Sequence, residues 1–295
     1  MDTQESLRRK LSGAEDLKSV VRTMKAVAAS NIGQYETAVR SLGDYYQTVS
    51  LGIVAYLGKE KSNPIIENNA PIANKDKVVC ALVFGSDQGL VGRFNDSLAE
   101  FVSQSLQEIE GRKEIWAVGE RVQLLLSDMG YDTAKTFSVP GSVNAITPLV
   151  EKILVQSEAI FNKNKTNEIY IFHNQPLSGA AYKPAMQRLL PLDEKWRQSY
   201  TAIKWPTKRI PQLIGGNEST LLALIHAYLF TSLFKGCAES LASENASRLA
   251  AMQRAEKNIG ELLEELSLQF HSLRQSTIDE ELFDVVSGFE VMKED

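Results

Sequence analysis

Two uninterrupted helical patterns occupy the ends of this 295-residue chain, residues 3–58 and 217–290. In both, apolar residues recur at separations of three, four or seven, the near-heptad spacing of a coiled-coil stripe. Neither stretch contains proline, so each is predicted to form one continuous helix, roughly 80 and 110 Å long at the helical rise. Helices of this length are typical of shafts and subunit bridges rather than of catalytic centres.

Small residues predict the register between the two helices. Residues 26–30 and 240–251 are rich in alanine and serine, and small side chains let two helix backbones approach closely. If these patches face each other, the helices are antiparallel and Leu7 lies beside Leu266. The apolar stripe of the first helix is Leu7, Leu11, Ala14, Val21, Met24, Ala28, Tyr35, Leu42, Val49 and Ile53. The stripe of the second helix includes Leu221, Ile225, Tyr228, Ala242, Ala246, Leu249, Ile259, Leu263, Leu266, Phe270 and Leu273.

In this register, residues beyond about 273 have no partner helix. The apolar residues in that stretch are Ile278, Leu282, Phe283, Val285, Val286 and Phe289. Acidic residues lie between them, so one interpretation is a frayed acidic tail. Exposed apolar side chains on an unpaired helix are typical of a binding surface, and that is the interpretation we favour.

Composition narrows the class of protein. The net charge of −5 argues against general nucleic-acid binding. The sequence contains no uninterrupted run of about 18 apolar residues. Its most apolar stretch, 221–230, is too short to span a membrane. We therefore predict no direct membrane insertion. Cys80 and Cys237 are far apart in sequence and are predicted to be buried free thiols in a reducing compartment.

Between the long helices, the sequence alternates between strand-like and helix-like segments. Strands are predicted at 78–84, 114–118, 133–138 and 168–173, and helices at 95–110, 120–129 and 145–162. Such alternation predicts parallel strands with helices on the faces of the sheet. Residues 175–210 are predicted to form a hairpin or loop that returns to the second long helix.

The predicted fold class is α/β plus a long coiled coil. An antiparallel two-helix coiled coil from both termini carries a central Rossmann-like α/β domain. Residues 1–58 form the N-terminal coiled-coil helix and 59–76 a connecting loop. Residues 77–212 form the central α/β domain, and 213–295 the C-terminal coiled-coil helix.

A glycine-rich segment, 85–92, follows the first strand, where folds of this class often bind phosphates. Its spacing matches neither G-x-x-x-x-G-K-[ST] nor G-x-G-x-x-G. We therefore predict a structural loop in which Gly89 and Gly92 permit a tight turn. In this loop, Asp87 accepts hydrogen bonds from loop amides and Asn95 caps the following helix.

Residue patterns for a metal site or for catalysis are weak. His173, His226 and His271 each lack a metal-ligating neighbour at i+3 or i+4, and the two cysteines are not spaced as a zinc pair. Ser86 is not part of a G-x-S-x-G elbow and is predicted to be a turn residue. We expect no catalytic residue, no metal and no cofactor.

Four motifs occur in order along the chain and span most of its length. They are residues 24–30 (MKAVAAS), 87–95 (DQGLVGRFN), 243–252 (SENASRLAAM) and 274–288 (RQSTIDEELFDVVSG). Together they resemble the gamma subunits of F-type ATP synthases. The resemblance implies a rotor shaft, whose terminal helices form an antiparallel coiled coil inside a ring of three alpha and three beta subunits.

The same resemblance implies partners for the chain. These are the alpha and beta subunits of the F1 ring, the epsilon subunit and the membrane c-ring. ATP is made or hydrolysed on the ring subunits, so this chain is expected to be a non-catalytic subunit of the rotary complex. Its expected role is to couple ion flow through the membrane ring to the reaction on the alpha/beta ring.

Individual positions take roles from the matched motifs. The expected partner-binding residues are Met24, Lys25, Arg274, Gln275, Ile278, Leu282, Val285 and Val286. Lys25 is expected to meet acidic loops of the beta subunits, and the apolar end of the second helix to turn inside an apolar sleeve. The loop residues Asp87, Gly89, Leu90 and Gly92 are expected to shape the central domain on its membrane side.

Departures from the family pattern leave two interpretations, a divergent bacterial form from a second ATPase operon, for which sodium coupling is an option, or lineage drift. Gln88, Val91, Asn31 and His271 stand where Arg, Cys, Lys and Asn are common. Residues 1–10 carry neither a signal core nor a transit peptide, which favours a peripheral position on the cytoplasmic face of the bacterial inner membrane. Two other functions stay open. One is a non-rotary α/β nucleotide-binding enzyme with coiled-coil oligomerisation arms, and the other is a tether that does not rotate.

Overall fold

The computed structural model describes residues 3–59, 77–164, 166–177, 181–209 and 217–291. Its helices are α1 (Gln4–Lys59), α2 (Phe94–Glu108), α3 (Glu120–Asp128), α4 (Ile146–Asn164), α5 (Glu194–Thr201) and α6 (Asn217–Val291). Its strands are β1 (Val78–Phe84), β2 (Arg112–Val118), β3 (Thr133–Phe137), β4 (Thr166–Pro176) and β5 (Tyr182–Leu190). The connecting loop predicted at 59–76 lies, except for Lys59, outside the described residues. The predicted fold class, α/β plus a long coiled coil, is confirmed.

The chain divides into two compact units. The first, the sheet unit, is Ala29–Arg248. The second, the terminal unit, combines the chain up to Ala28 with the chain from Leu249 onwards. Helices α1 and α6 contribute to both units, and each unit is described separately below.

The sheet unit contains five strands in the order β3-β2-β1-β4-β5. Strand β1 pairs in parallel with β2 and β4, and β2 pairs in parallel with β3. Strand β5 pairs antiparallel with β4, so of the hairpin or loop predicted at 175–210 a hairpin is present. All seven residues of β1 are buried, as expected for a central parallel strand covered on both faces.

Helices cover the sheet on both faces. One apolar core contains Leu82, Phe84 and Trp116 from the strands and Val150 and Ile153 from α4. Helix α6 contributes Leu233, Cys237, Ala238, Leu241 and Ala242 to it. The other core lies against α2 and α3 and includes Leu98, Val122 and Phe172. Because alternate residues of a strand point to opposite faces, Leu82 and Val83 enter different cores.

Within the sheet unit, α1 and α6 pack antiparallel. Asn31 donates to Asn245 across the two helices, and a Cβ at Gly52 would lie 2.7 Å from Leu224 Cδ2. The predicted register would place Asn31 opposite Ser243, within one helical turn of its actual partner. A third apolar core joins the two helices to α5, and it contains Val49, Ile53, Tyr56, Leu57, Leu192, Tyr200, Leu221 and Tyr228.

The terminal unit is also an antiparallel helix pair. Leu7, Ala14 and Leu266 are buried in it, as the predicted apolar stripes require, and Met252, which the stripes did not include, is buried as well. Hydrogen bonds from Arg22 and Lys25 of α1 to Glu256 of α6 cross between the helices.

Helix α6 is apolar on average over a longer stretch than residues 221–230. Between Ser219 and Val286, this helix contains an 18-residue window that is long and apolar enough to cross a membrane by length and composition. Within the structure, 44% of that window is buried.

Candidate functional site

The loop after β1 is held by a closed set of hydrogen bonds. Asn95 Oδ1 accepts from the Ser86 amide at 3.0 Å, and Asn95 Nδ2 donates to Ser86 Oγ at 2.8 Å. Ser86 Oγ in turn donates to the Gln88 carbonyl at 2.8 Å. Asn95 lies inside α2, whose N-cap residue is Arg93, so the prediction that Asn95 caps this helix is wrong. Its side chain closes the loop instead.

Asp87 connects this loop to two other segments. Its Oδ1 accepts from the Glu120 amide at 3.1 Å, and its Oδ2 accepts from the Val139 amide at 3.0 Å. Glu120 begins α3, and a carboxylate beside a helix N-terminus is electrostatically favourable. Both carboxylate oxygens therefore have main-chain donors, which suits a structural role.

Three residues of the glycine-rich segment have distinct backbone requirements. A Cβ at Gly85 would lie 2.3 Å from Val122 Cβ, so α3 and this loop approach too closely for a side chain there. Gly92 has a φ of 57°, in the left-handed region that glycine tolerates. Leu90 also has a positive φ, 60°, and its side chain is 63% exposed. Residues other than glycine rarely adopt a positive φ, so the sequence gives no reason to predict this conformation at Leu90.

Helix α6 occupies the carboxyl edge of the sheet between β1 and β4. In doubly wound folds, ligands bind at this edge, where the strand order reverses. Here Ser240 Oγ donates to the Phe84 carbonyl at 2.7 Å, and Ser243 Oγ donates to the Asn174 carbonyl at 2.9 Å. Ser247 Oγ donates to the carbonyl of Val91 in the glycine-rich segment. Side chains of the protein itself thus lie at the edge of the sheet where ligands bind in doubly wound folds.

The partners of these serines correct the sequence analysis. Ser240, Ser243 and Ser247 belong to the small-residue patch that was predicted to face the first long helix. Instead, their hydroxyl groups bond to the sheet and its loops, and all three side chains are buried. Their spacing of three and four residues places them on one face of α6. In the sequence, the only sign of this contact is that serines recur on one face of the helix.

A buried ion-pairing site lies beside this contact. His173 Nε2 is 2.8 Å from Glu239 Oε2, and both side chains are buried. Lys235 Nζ lies 3.8 Å from the other carboxylate oxygen of Glu239. His173 therefore has an acidic partner, which a search of its neighbours at i+3 and i+4 does not find because Glu239 is distant in sequence. Among the described residues, no group of three or more histidine, cysteine or acidic side chains is placed to hold a metal ion.

Lys25 of the terminal unit is engaged within the chain. Its Nζ lies 2.5 Å from Glu256 Oε2, and Arg22 Nε lies 2.8 Å from Glu256 Oε1. The hydrogen bonds from Lys25 and then Arg22 lower the pKa of Glu256 to about 2. Met24, beside Lys25, is half-buried. Pairing between basic residues of the first helix and acidic residues of the second was expected in general, but the sequence did not single out Glu256 as the partner of Lys25.

The end of α6 presents apolar side chains to solvent. Ile278 is 45% exposed, Leu282 and Val285 are each 58% exposed, and Val286 is 54% exposed. Every residue from 279 to 286 is exposed, as are Arg274 and Gln275. The side chain of Phe289, which the sequence analysis included in this surface, lies outside the described residues. We call Ile278, Leu282, Phe283, Val285 and Val286 the apolar end of α6.

The fold defines a class of protein in which two long terminal helices flank a doubly wound sheet. In this chain, serine side chains of α6 occupy the carboxyl edge of that sheet, which we call the filled edge. The family model described as ATP synthase matches residues 3–292. The chain therefore belongs to the ATP synthase family, and within it to the gamma subunits of the F-type enzymes.

Comparisons with individual proteins agree. The chain is 27% identical to the ATP synthase gamma chain of Syntrophus aciditrophicus, with 99% of each chain covered. It is 27% identical to that of Histophilus somni, with 96% of each chain covered. Its fold is similar to a chain in the rotor of the Euglena gracilis mitochondrial ATP synthase, with a TM-score of 0.61 and 18% identity. That match covers 93% of this chain and 98% of the other.

Proposed function

We propose that this chain is the central rotor shaft of an F-type ATP synthase. In this role it couples ion flow through the membrane ring to ATP synthesis or hydrolysis on the alpha/beta ring, and it has no catalytic site of its own. Residues 1–58 and 213–295 supply the coiled coil, and residues 77–212 supply the domain nearer the membrane ring. Its partners are the alpha and beta subunits, the epsilon subunit and the c-ring.

The apolar end of α6 is the observation that carries this proposal. Exposed apolar side chains that are contiguous on a helix are costly in water unless a partner covers them. An apolar surface also suits a rotating contact, because it lacks the directional hydrogen bonds that would fix one angle. Arg274 and Gln275, on the same helix, supply polar contacts that change with the angle of the shaft.

The filled edge of the sheet supports a non-catalytic role. A nucleotide-binding enzyme of this fold needs space beside the loop after β1, and Ser240 and Ser247 of α6 bond to the main chain there. The carboxylate of Asp87 is likewise occupied by two amides. Mechanical coupling between conformational states of the ring requires neither group to be free.

The contact assigned to Lys25 takes a specific form in this proposal. In the chain alone, Lys25 shares Glu256 with Arg22. An acidic loop of a beta subunit would therefore compete with Glu256 for Lys25, while Arg22 continues to neutralise Glu256. Because the chain's relatives include gamma chains of bacteria, we place the complex at the cytoplasmic face of the bacterial inner membrane, with this chain as a peripheral component.

Copurification tests the proposal. A tagged full-length chain, coexpressed with the alpha and beta subunits of its own organism, is expected to isolate them in a ratio of one copy to three of each. A free-standing enzyme or a tether would isolate neither in that ratio. Binding of ATP to the purified chain alone at residues 85–92 would contradict the non-catalytic role.

A matched pair of double variants tests the surface that carries the proposal. Leu282→Asp with Val285→Asp changes the apolar end of α6. Leu124→Asp with Val155→Asp makes the same chemical change at side chains that are 54% and 66% exposed on α3 and α4. Only the first pair is expected to reduce recovery of the alpha and beta subunits. Equal recovery with both pairs would show that the apolar end is not a ring contact.

A further inference from the structure

Three serines of α6 form a hydrogen-bonded seam with the carboxyl edge of the sheet. We define the seam as Ser240, Ser243 and Ser247 together with their three acceptor carbonyls. The acceptors belong to different parts of the sheet unit: the end of β1, the end of β4 and the glycine-rich segment. Ser243 is fully buried, and Ser240 and Ser247 are 3% and 7% exposed. Water therefore does not compete for these hydrogen bonds.

The seam differs physically from the rest of the interface between α6 and the sheet. Apolar contacts are non-directional, so a helix packed only through them can rotate or slide with little loss of contact. A hydrogen bond depends steeply on distance and angle. Main-chain carbonyls held in strands or in a hydrogen-bonded loop cannot swing to follow a moving donor, as a side-chain acceptor can. Three such acceptors fix both the rotation and the axial position of α6.

Two further contacts restrict the same segment of α6. His173 at the end of β4 pairs with Glu239, which lies beside Ser240. A Cβ at Gly236 would lie 3.3 Å from Ile171 Cδ1 and 3.7 Å from a ring atom of Phe84, so this turn of the helix lies close against β1 and β4. The contacts from Gly236 to Ser247 thus extend over about three helical turns.

We propose that the seam is the torque-bearing joint of the shaft, at which the sheet unit holds α6 against rotation under load. The site that binds a ligand in other doubly wound folds has here become an attachment for a helix of the same chain. This inference rests on the proposed rotor function and names the residues that transmit force within it. Ser240, Ser243 and Ser247 are positioning residues, since they touch no reacting group.

The test uses the complete complex, with its membrane part, reconstituted into sealed vesicles. The variants are the single change Ser243→Ala and the triple change of Ser240, Ser243 and Ser247 to alanine. Removing one buried neutral hydrogen bond is expected to shift the equilibrium between held and slipped joints by roughly fivefold. The measured quantity is the number of ions pumped per ATP hydrolysed, with and without an opposing ion gradient. We expect a loss in both variants that is larger in the triple variant and grows with the opposing gradient.

Thr231→Val is the matched control. Thr231 is fully buried on α6, but its hydroxyl donates only to the Ala227 and Tyr228 carbonyls of its own helix. This variant is expected to lose thermal stability without a gradient-dependent loss of pumping. Equal losses in the control and in Ser243→Ala would attribute the effect to general destabilisation and would overturn the inference. Normal pumping by both serine variants would also overturn it.

The outcomes for the unaltered chain separate this inference from the proposed function. If the unaltered chain assembles and pumps but the serine variants pump equally well, the rotor function stands and the joint is refuted. If the unaltered chain does not assemble with the ring subunits, the rotor function fails and this inference fails with it. A triple variant that does not assemble leaves Ser243→Ala to decide the result.

Discussion

Replacing Gly85 by alanine is expected to destabilise the sheet unit strongly. The new Cβ would lie 2.3 Å from both Cβ and Cγ1 of Val122, and 3.0 Å from Asn95 Oδ1. Val122 is fully buried on α3 and cannot rotate its Cβ away, so α3 itself has to shift. Overpacking of this kind costs about 3 kcal/mol, the upper end of its usual range. For a unit of this size, the thermal midpoint is expected to fall by about 6–12 °C.

Gly89→Ala is the matched control for that prediction, because nothing lies within 4 Å of its Cβ position. The φ of Gly89 is not in the positive range, so alanine fits the backbone there. The substitution is expected to stabilise the chain by no more than about 1 kcal/mol. Both variants of the full-length chain are compared by urea titration followed by circular dichroism. If Gly85→Ala unfolds at the same urea concentration as the unaltered chain, the glycine does not serve close packing against Val122. A role in ligand approach would then have to be reconsidered.

Three further predictions concern other parts of the chain. Leu282→Asp with Val285→Asp is expected to weaken assembly or coupling more than Ser86→Ala does, and equal, negligible effects in an ATP-driven pumping assay would argue against a covered apolar end. Glu256→Gln removes the shared partner of Lys25 and Arg22. The lowered pKa of Glu256 means that its carboxylate stabilises the fold above pH 4.5 and that this contribution is lost as the pH falls toward about 2. The thermal midpoints of variant and unaltered chain should therefore converge in acid, and a constant difference across that range would contradict the pairing. Burial raises the pKa of both thiols, Cys80 and Cys237. Neither is therefore expected to react with a thiol reagent at neutral pH until urea unfolds the chain. Rapid labelling of the native chain would show that the cores open readily.

The periodic parts of the fold were predictable from sequence because they depend on local patterns. The long helices α1 and α6 and the alternation of strands and helices between them follow from spacing, from the lack of proline and from β-strand runs between turns. The segment after β4 was predicted only as a hairpin or loop. The stripe residues Leu7, Tyr35 and Ile53 are buried as predicted, since helical spacing alone selects the face that packs.

The parts of the site that sequence reasoning missed depend on contacts between distant segments. Nothing near His173 in sequence identifies Glu239 as its partner, and nothing near Lys25 identifies Glu256. Asn95 was predicted to cap a helix because asparagine is favoured at that position by local rules. In the structure, its side chain instead forms hydrogen bonds with Ser86 across the loop. Leu90 adopts a left-handed backbone that its own residue type disfavours.

The sequence by itself determined that two long helices flank an α/β sheet and that its motifs resemble those of F-type gamma subunits. Apolar periodicity and motif order are properties of the chain that do not require knowledge of its folded contacts. Only the tertiary structure decided the role of the serines of α6, because a small side chain suits a helix partner and a sheet edge equally well. Their hydroxyl groups face the main-chain carbonyls of Phe84, Asn174 and Val91, and these acceptors come together only when the sheet has formed.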